Sequence, residues 1–380
     1  MTHESKLPNI ETTIFAVMSG LANKYGALNL SQGYPNFKGD QKLYDLVNAA
    51  MNSGYNQYAH MYGSQDLRLA IKNKVELLYK TTYDPETEIT VTVGATQAIY
   101  TTISTFIKKG DEVIVFRPAY DSYIPSIQIN RGIPVSIQLL KPDFRIDWED
   151  VKQKINSKTK MIIINSPHNP SGTMLTKDDM LKLQELTKNT NIVVLSDEVY
   201  EHLVFDNEQH LSACMFPDLK SRSFVISSLG KTFHNTGWKI GYCCAPKHLM
   251  DEFIKLHQFT VFSVNHPTQK GIADYMQEPE HYLEIPQFFQ RKRDLFLDAM
   301  KNSRFKFTPS KGTYFQLLDY SEITDENDFE FAKRLIVEHG VASIPTSVFN
   351  KNKLDQKVLR FCFAKTDETL IEATKILTKL

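Results

Sequence analysis

Between about residue 65 and residue 245, short β-branched runs alternate with stretches of helical periodicity, and this alternation restricts the fold more than any other feature of the chain. The runs are 89–93, 112–116, 161–164, 192–195 and 224–227, with helical patterns over 96–108 and 176–188 between them. Strands separated by helical crossovers pair in parallel, because the crossover returns the chain to the same end of the sheet. Met161–Ile164 and Ile192–Leu195 are apolar without alternation, as strands covered on both faces require, although a short buried helix shares that pattern. The reading is an α/β fold built on a mostly parallel sheet covered by helices.

The pattern changes further on. Helical periodicity over 267–301 is followed by strand-like segments at Lys306–Pro309, Tyr314–Leu318 and Val358–Phe363, with helices expected over 326–339 and 367–379. These make a second, smaller α/β unit. The first forty residues offer one helix, 12–24, and a turn at Ser31–Pro35, too little for a core of their own. We therefore expect a large domain over 45–275, a small C-terminal domain over 276–380, and an N-terminal arm, 1–44, packed on the small domain. A length of 380 residues agrees with roughly two domains at ~150 residues each.

Charge and cysteine content exclude several classes. Lys plus Arg and Asp plus Glu each number 44, so the formal net charge is zero and nothing favours nucleic acid or an anionic membrane surface. Cys214, Cys243, Cys244 and Cys362 form no C-x-x-C pair, which argues against disulfides and structural zinc and for a reducing cytoplasm. Met1–Asn9 lacks an apolar signal core, and no run of about 18 apolar residues suggests a membrane span. His168 and His202 have no partner at metal-ligand spacing, so no metal is expected.

Each central strand leads into a loop of unusual composition: Gly94–Thr96, Arg117–Tyr120, Asn165–Gly172, Ser196–Tyr200 and Ser228–Lys231. Ligands of parallel α/β sheets bind outside the carboxyl ends of the strands, so these loops should converge on one site. Gly94-Ala-Thr96 opens a helix and could bind an anion through its free amides, or could be an ordinary cap by Thr96. Lys231, among small residues after a buried strand, suits imine chemistry if burial lowers its pKa; otherwise it is a surface lysine. Asp197 follows the most apolar strand, so it is either a half-buried carboxylate in need of a cation or a helix cap. Gly230-Lys-Thr232 is no phosphate loop, since Val225 stands where that motif needs glycine. Ser228-Leu-Gly-Lys231 lacks the partner motifs of serine acyl enzymes, and no G-x-G-x-x-G occurs.

Taken in chain order from Asn29–Gly33 to Arg360, these residues resemble the fold type I, pyridoxal-phosphate-dependent aminotransferases. Gly26–Phe37 with Gly237–Tyr242 is similar to the kynurenine and methionine aminotransferase branch. Thr13–Phe15, Phe262–Asn265 and Ser343–Phe349 bring the methionine enzymes closest. The resemblance implies a seven-stranded large-domain sheet and a cofactor bonded covalently to Lys231, which then moves the proton between substrate Cα and cofactor C4′. Asp197 would pair with the ring nitrogen, Asn169 and Tyr200 would bond the ring oxygen, and Tyr120 would stack on the ring. The phosphate would rest on Gly94, Ala95, Thr96, Ser228 and Lys239, with Tyr58 reaching in from a second subunit of a homodimer. Many relatives carry arginine at position 239; lysine binds phosphate as a point charge instead. Arg360, helped by Asn169 and the Gly33 backbone, would clamp the substrate carboxylate; an edge-strand ion pair is its ordinary alternative. Tyr34, Tyr62 and Phe37 are candidates for an apolar substrate pocket, and the Arg117–Pro118 and Asn169–Pro170 bonds are expected to be cis. The implied reaction moves an amino group from an apolar or aromatic amino acid, methionine first, to a 2-oxo acid in two half-reactions. Kynurenine–oxoglutarate transamination and carbon–sulfur β-elimination are the alternatives. No second arginine for a dicarboxylate side chain is recognisable.

Overall fold

The computed structural model describes residues 4–380. Seven strands form the main sheet: β1 (Ile89–Val93), β2 (Glu112–Arg117), β3 (Ile133–Gln138), β4 (Thr159–Asn165), β5 (Val193–Asp197), β6 (Ser223–Ser228) and β7 (Ile240–Cys244). Their order is β1-β7-β6-β5-β4-β2-β3, parallel except for β7, which runs against both of its neighbours. Alternate residues of the central strands enter opposite cores. Met161, Ile163, Val193 and Leu195 pack with Ala98, Ile103 and Phe253 on one face, whereas Ile162, Ile164 and Val194 pack with Met180 and Leu183 on the other. Burial on both faces is the physical reason these strands lack polar alternation.

Two strands of this sheet carried no strand signal in the sequence. β3 lies at an edge, exposed or half-buried along most of its length, and contains Pro134, a residue tolerated where no neighbouring strand needs its amide. β7 follows a left-handed Lys239 and overlaps Gly237–Tyr242, a segment noted in the sequence only for its family resemblance.

After the helices His266–Tyr275, Glu280–Leu283 and Ile285–Met300 comes a second sheet, with β8 (Phe315–Asp319), β9 (Ile344–Pro345) and β10 (Val358–Cys362) in the antiparallel order β9-β10-β8. The strand expected over Lys306–Pro309 reduces to one bridge, Lys306 to Asp319, because its remaining residues line a cavity instead of pairing. Arg360 therefore lies on a central strand, and the edge-strand ion pair considered for it is not formed. Helix Ile14–Tyr25, capped by the Thr13 hydroxyl, packs on helix Asp328–His339, and Leu28–Asn29 pairs in parallel with Val341–Ala342. The Arg117–Pro118 and Asn169–Pro170 bonds are cis, as are Lys141–Pro142 and Ser166–Pro167. Among the described residues no helix is long and apolar enough to cross a membrane.

Close helix packing fixes the segment that follows β7. Helix His266–Tyr275 lies on helix Gln41–Asn52, and a methyl at Gly271 would come within 2.5 Å of Val47 Cγ2 and 2.8 Å of its backbone nitrogen. We expect Gly271→Ala to cost about 1–3 kcal/mol through overpacking. Gly20→Ala meets nothing within 4 Å in its helix and should be neutral or stabilising by about 0.5–1 kcal/mol. Thermal denaturation of the two variants beside the parent checks both.

Candidate active site

The loops after β1, β2, β4, β5 and β6 meet at one cavity of about 230 Å³. Its wall contains Gly94, Ala95, Thr96, Tyr120, Asn169, Asp197, Tyr200, Ser228, Lys231 and Lys239, joined from outside the large sheet by Gly33 and Arg360. Sequence reasoning thus gathered residues spread over more than three hundred positions into one place. Because β7 is reversed, it delivers its first residues, not its last, to this end of the sheet; Lys239 arrives that way.

The helix Gly94–Phe106 begins at the glycine itself, so Thr96 is inside the helix and does not cap it. Its hydroxyl instead meets the Tyr120 hydroxyl at 3.2 Å, and the first amides receive no side-chain cap. Gly94 has φ +69°, and a Cβ there would sit 3.2 Å from Lys239 Nζ. Glycine therefore permits both the left-handed turn and the approach of the amine to the helix start. Uncapped amides beside an amine form an anion-binding corner. Ser228 Oγ, at the same end, accepts from the Lys231 amide.

Asp197 is buried and does not cap a helix. Its carboxylate accepts from the Tyr123 hydroxyl at 2.5 Å and the Val199 amide at 3.3 Å, and no cation pairs with it among the described residues. Burial pushes its pKa from 3.8 up to about 6, against the opposing pull of the Tyr123 bond. Tyr200 is buried edge-on against Tyr314 and Phe315. Lys231 Nζ donates to the Gly33 carbonyl at 3.1 Å and the Tyr314 hydroxyl at 3.0 Å. Desolvation in the cavity wall lowers its pKa to about 8, helped by the charges of Lys239 and Arg360 and opposed by Asp197.

Arg360 is 1% exposed. Its guanidinium lies 3.8 Å over the Phe315 ring and 5.2 Å from Phe15, donating to Asn169 Oδ1 at 2.8 Å and the Ser31 carbonyl at 3.1 Å. Nε has no partner, and no carboxylate pairs with the group among the described residues. Three cations, Lys231, Lys239 and Arg360, thus share a cavity with one carboxylate, a charge set that an anionic ligand would complement.

Four residues named from the sequence lie elsewhere. Tyr58 is 80% exposed against Phe262, Tyr62 stacks on His60, and Tyr34 stands at the surface near Lys365. Phe37 packs with His234, Phe288 and Phe289 away from the cavity. Sequence reasoning missed Tyr123 and Tyr314, which bond Asp197 and Lys231, and the rings of Phe15 and Phe315. Tyr314 heads a stretch read as strand, and nothing in its neighbours marks its hydroxyl for the site. His168 is a buried, hydrogen-bonded histidine, its nitrogens on Ser171 and the Pro118 carbonyl; among the described residues no metal-binding cluster occurs. A larger cavity, about 410 Å³, lies between Lys141–Ile146 and Lys306–Lys311. Its amines are paired, Lys141 with Asp319, Lys306 with Glu322 and Lys311 with Glu208, and its Asp143 and Arg145 are exposed, whereas the smaller cavity holds the buried Asp197 and Arg360 without a charged partner among the described residues.

The model of the class I and II aminotransferases matches residues 26–377, and the chain belongs to that family. It is a pyridoxal-phosphate-dependent aminotransferase. In particular, it is 45% identical to the methionine aminotransferase of Escherichia coli strain K12, over 99% of this chain and 98% of that one. It is 32% identical to a kynurenine–oxoglutarate transaminase of Dictyostelium discoideum, over 97% and 94% of the two chains. The crystal structure of YbdL from Escherichia coli, identified as having a methionine aminotransferase function, superposes with TM-score 0.98 at 45% identity over the whole of both chains.

The raised pKa of Asp197 makes a prediction for the cofactor-free protein. The unfolded chain loses this proton near its ordinary value of 3.8 and the folded chain near 6, so stability falls as pH rises through that window. Asp197→Asn keeps an acceptor for Tyr123 and removes the penalty. We expect the cofactor-free variant to exceed the cofactor-free parent by on the order of 2 kcal/mol at pH 7 and to match it below pH 4. Denaturant titrations at the two pH values measure the difference; equal stability at pH 7 would show that the carboxylate is not penalised.

Proposed function

We propose that this aminotransferase takes an apolar or aromatic amino acid as donor, methionine foremost, and passes its amino group to a 2-oxo acid. The observation that carries the reading is Arg360, buried without a carboxylate, held 3.8 Å over the Phe315 ring near Phe15 and within the same cavity as Lys231. A substrate carboxylate would complete the guanidinium, and the two phenyl rings give its side chain an apolar surround. The 45% identity to the methionine enzyme supports the donor, and no second arginine among the described residues of the cavity wall offers itself to a side-chain carboxylate.

The residues fit the family's cofactor. The uncapped start of helix Gly94–Phe106, Lys239 and Ser228 would hold its phosphate; Asp197 would face its ring nitrogen; Asn169 and Tyr200 would bond the ring oxygen, and Tyr120 would cover the ring. Pyridoxal phosphate, when bound, supplies an aldehyde that condenses with amines and a ring that draws electrons from Cα. Lys231 Nζ would carry it and, when free, take and return the Cα proton; an amine with pKa near 8 has a usable neutral fraction at physiological pH. Arg360 and Asn169 orient the donor, so that this proton faces the amine.

The same reading places a second copy of the chain against Tyr58, supported by the exposed aromatic set of Tyr58, Phe259 and Phe262; Tyr34 and Tyr62, outside the cavity of their own chain, would line the partner's substrate entrance. It divides the chain at 45 and 275 into arm, large domain and small domain. It assigns the protein to the cytoplasm, in keeping with four buried, unpaired cysteines.

Borohydride reduction of the loaded enzyme should attach the cofactor to Lys231, and Lys231→Ala should lose both the tag and turnover; a tag at another lysine overturns the assignment. In a panel of donors, methionine, phenylalanine, tyrosine and kynurenine should exceed aspartate in kcat/KM by about tenfold or more. Preference for aspartate would refute the apolar pocket. Light scattering should find a dimer, with Tyr58→Ala weakening retention of the cofactor.

A further inference from the structure

Beside the site, among the described residues that bear no part in it, lies a buried lysine–glutamate cluster. Lys74, on helix Gln65–Tyr79, is 1% exposed and donates to Glu201 Oε1 at 2.5 Å and the Tyr242 hydroxyl at 2.7 Å. Glu201 also accepts from Tyr79 at 2.5 Å, from Tyr242 at 3.1 Å and from the Ser227 hydroxyl. One carboxylate thus ties a helix, the end of β6, and β7 to the loop after β5. Stability alone explains such a pair poorly, because burying two charges costs about as much as their attraction returns.

Its position in the chain is informative. Glu201 directly follows Tyr200, and Ser227 directly precedes Ser228. The backbone ladder between these two loops ends where the Glu198 amide meets the Ile226 carbonyl at 2.8 Å. Beyond that rung, the Ser227–Glu201 bond joins them. We infer that the Lys74–Glu201 pair is a positioning device for transamination, setting the distance of Tyr200 from Ser228 and Lys231. The inference rests on the assignment of those three residues to the cofactor site.

The surrounding groups keep the cluster in one protonation state. Burial would raise the Glu201 carboxyl, but the Lys74 charge and the hydrogen bonds the carboxylate accepts from Lys74 and Ser227 act together to hold the group well below the carboxylate range. Burial, with the Glu201 charge, holds the Tyr79 and Tyr242 hydroxyls far above theirs, so both remain donors. His202 is kept neutral by burial and by Lys74, while Glu198 is occupied by Ser196, the Ala213 amide and His210. The cluster is a fixed brace, insensitive to pH near neutrality.

Lys74→Met leaves Glu201 buried without its counter-charge and tests the inference in the holoenzyme. We expect the pH midpoint of the visible absorption to move by about half a unit or more. We also expect kcat for methionine to fall about tenfold or more while KM stays within about threefold. The affinity of the cofactor-free protein for pyridoxal phosphate should fall as well. Lys74→Met with Glu201→Gln removes both charges and should restore most of the midpoint and of kcat. A variant that melts earlier but keeps the parent's midpoint and kcat overturns the inference, as does a double variant no better than Lys74→Met. If Lys74→Met does not fold, Tyr79→Phe takes its place, with a smaller shift of the midpoint in support and none against. Borohydride tagging of the parent separates the two levels: a tag off Lys231 defeats the site assignment, whereas a Lys231 tag with an unmoved midpoint defeats the brace alone.

Discussion

An arginine enclosed by protein without a carboxylate is costly to keep, and the structure around Arg360 is organised to meet that cost. Its strand is the central one of the small sheet, Phe315 from β8 supplies a ring face, Phe15 comes from the N-terminal helix, and Ser31 and Asn169 accept two of its hydrogens. Segments from every part of the chain are thus engaged by one side chain. Of the N-terminal arm, too short for a core, the segment from Phe15 to Ser31 is tied to the rest by this contact and by the pairing of Leu28–Asn29 with Val341–Ala342.

The cavity's charges form a second constraint. Burial in the cavity wall disfavours the charged form of Lys231, and the positive charges of Lys239 and Arg360 add to that, so its pKa falls to about 8. Asp197 moves in the other direction for the same reason, a lack of solvent and of a partner. Both perturbations come from one arrangement, and both point to a ligand whose own charges are the complement.

Much of this was legible in the sequence, because the central strands betray themselves by apolar continuity and the loops after them by composition. Lys231, Asp197 and Gly94 could be singled out as unusual residues just beyond a strand, whereas Asn169, Tyr200 and Arg360 were reached only through the family resemblance. What escaped detection follows a common pattern. β3 is an edge strand interrupted by Pro134, so its signal was weak, and β7 runs backwards from a glycine-rich turn. Tyr123 and Tyr314 reach the site through tertiary packing that no local pattern encodes, and the Lys74–Glu201 pair joins residues 127 positions apart in the chain. Thr96 was ambiguous between cap and binding residue until the helix start was located at Gly94.

The reversal of β7 has a further effect on how the site is wired. Lys231 and Lys239, both in the wall of the same cavity, sit on one short excursion of backbone that leaves β6 and re-enters the sheet as β7. Any insertion, deletion or protease nick between them would therefore displace both amines in a single event, so the cavity's positive wall is kept or lost as one unit.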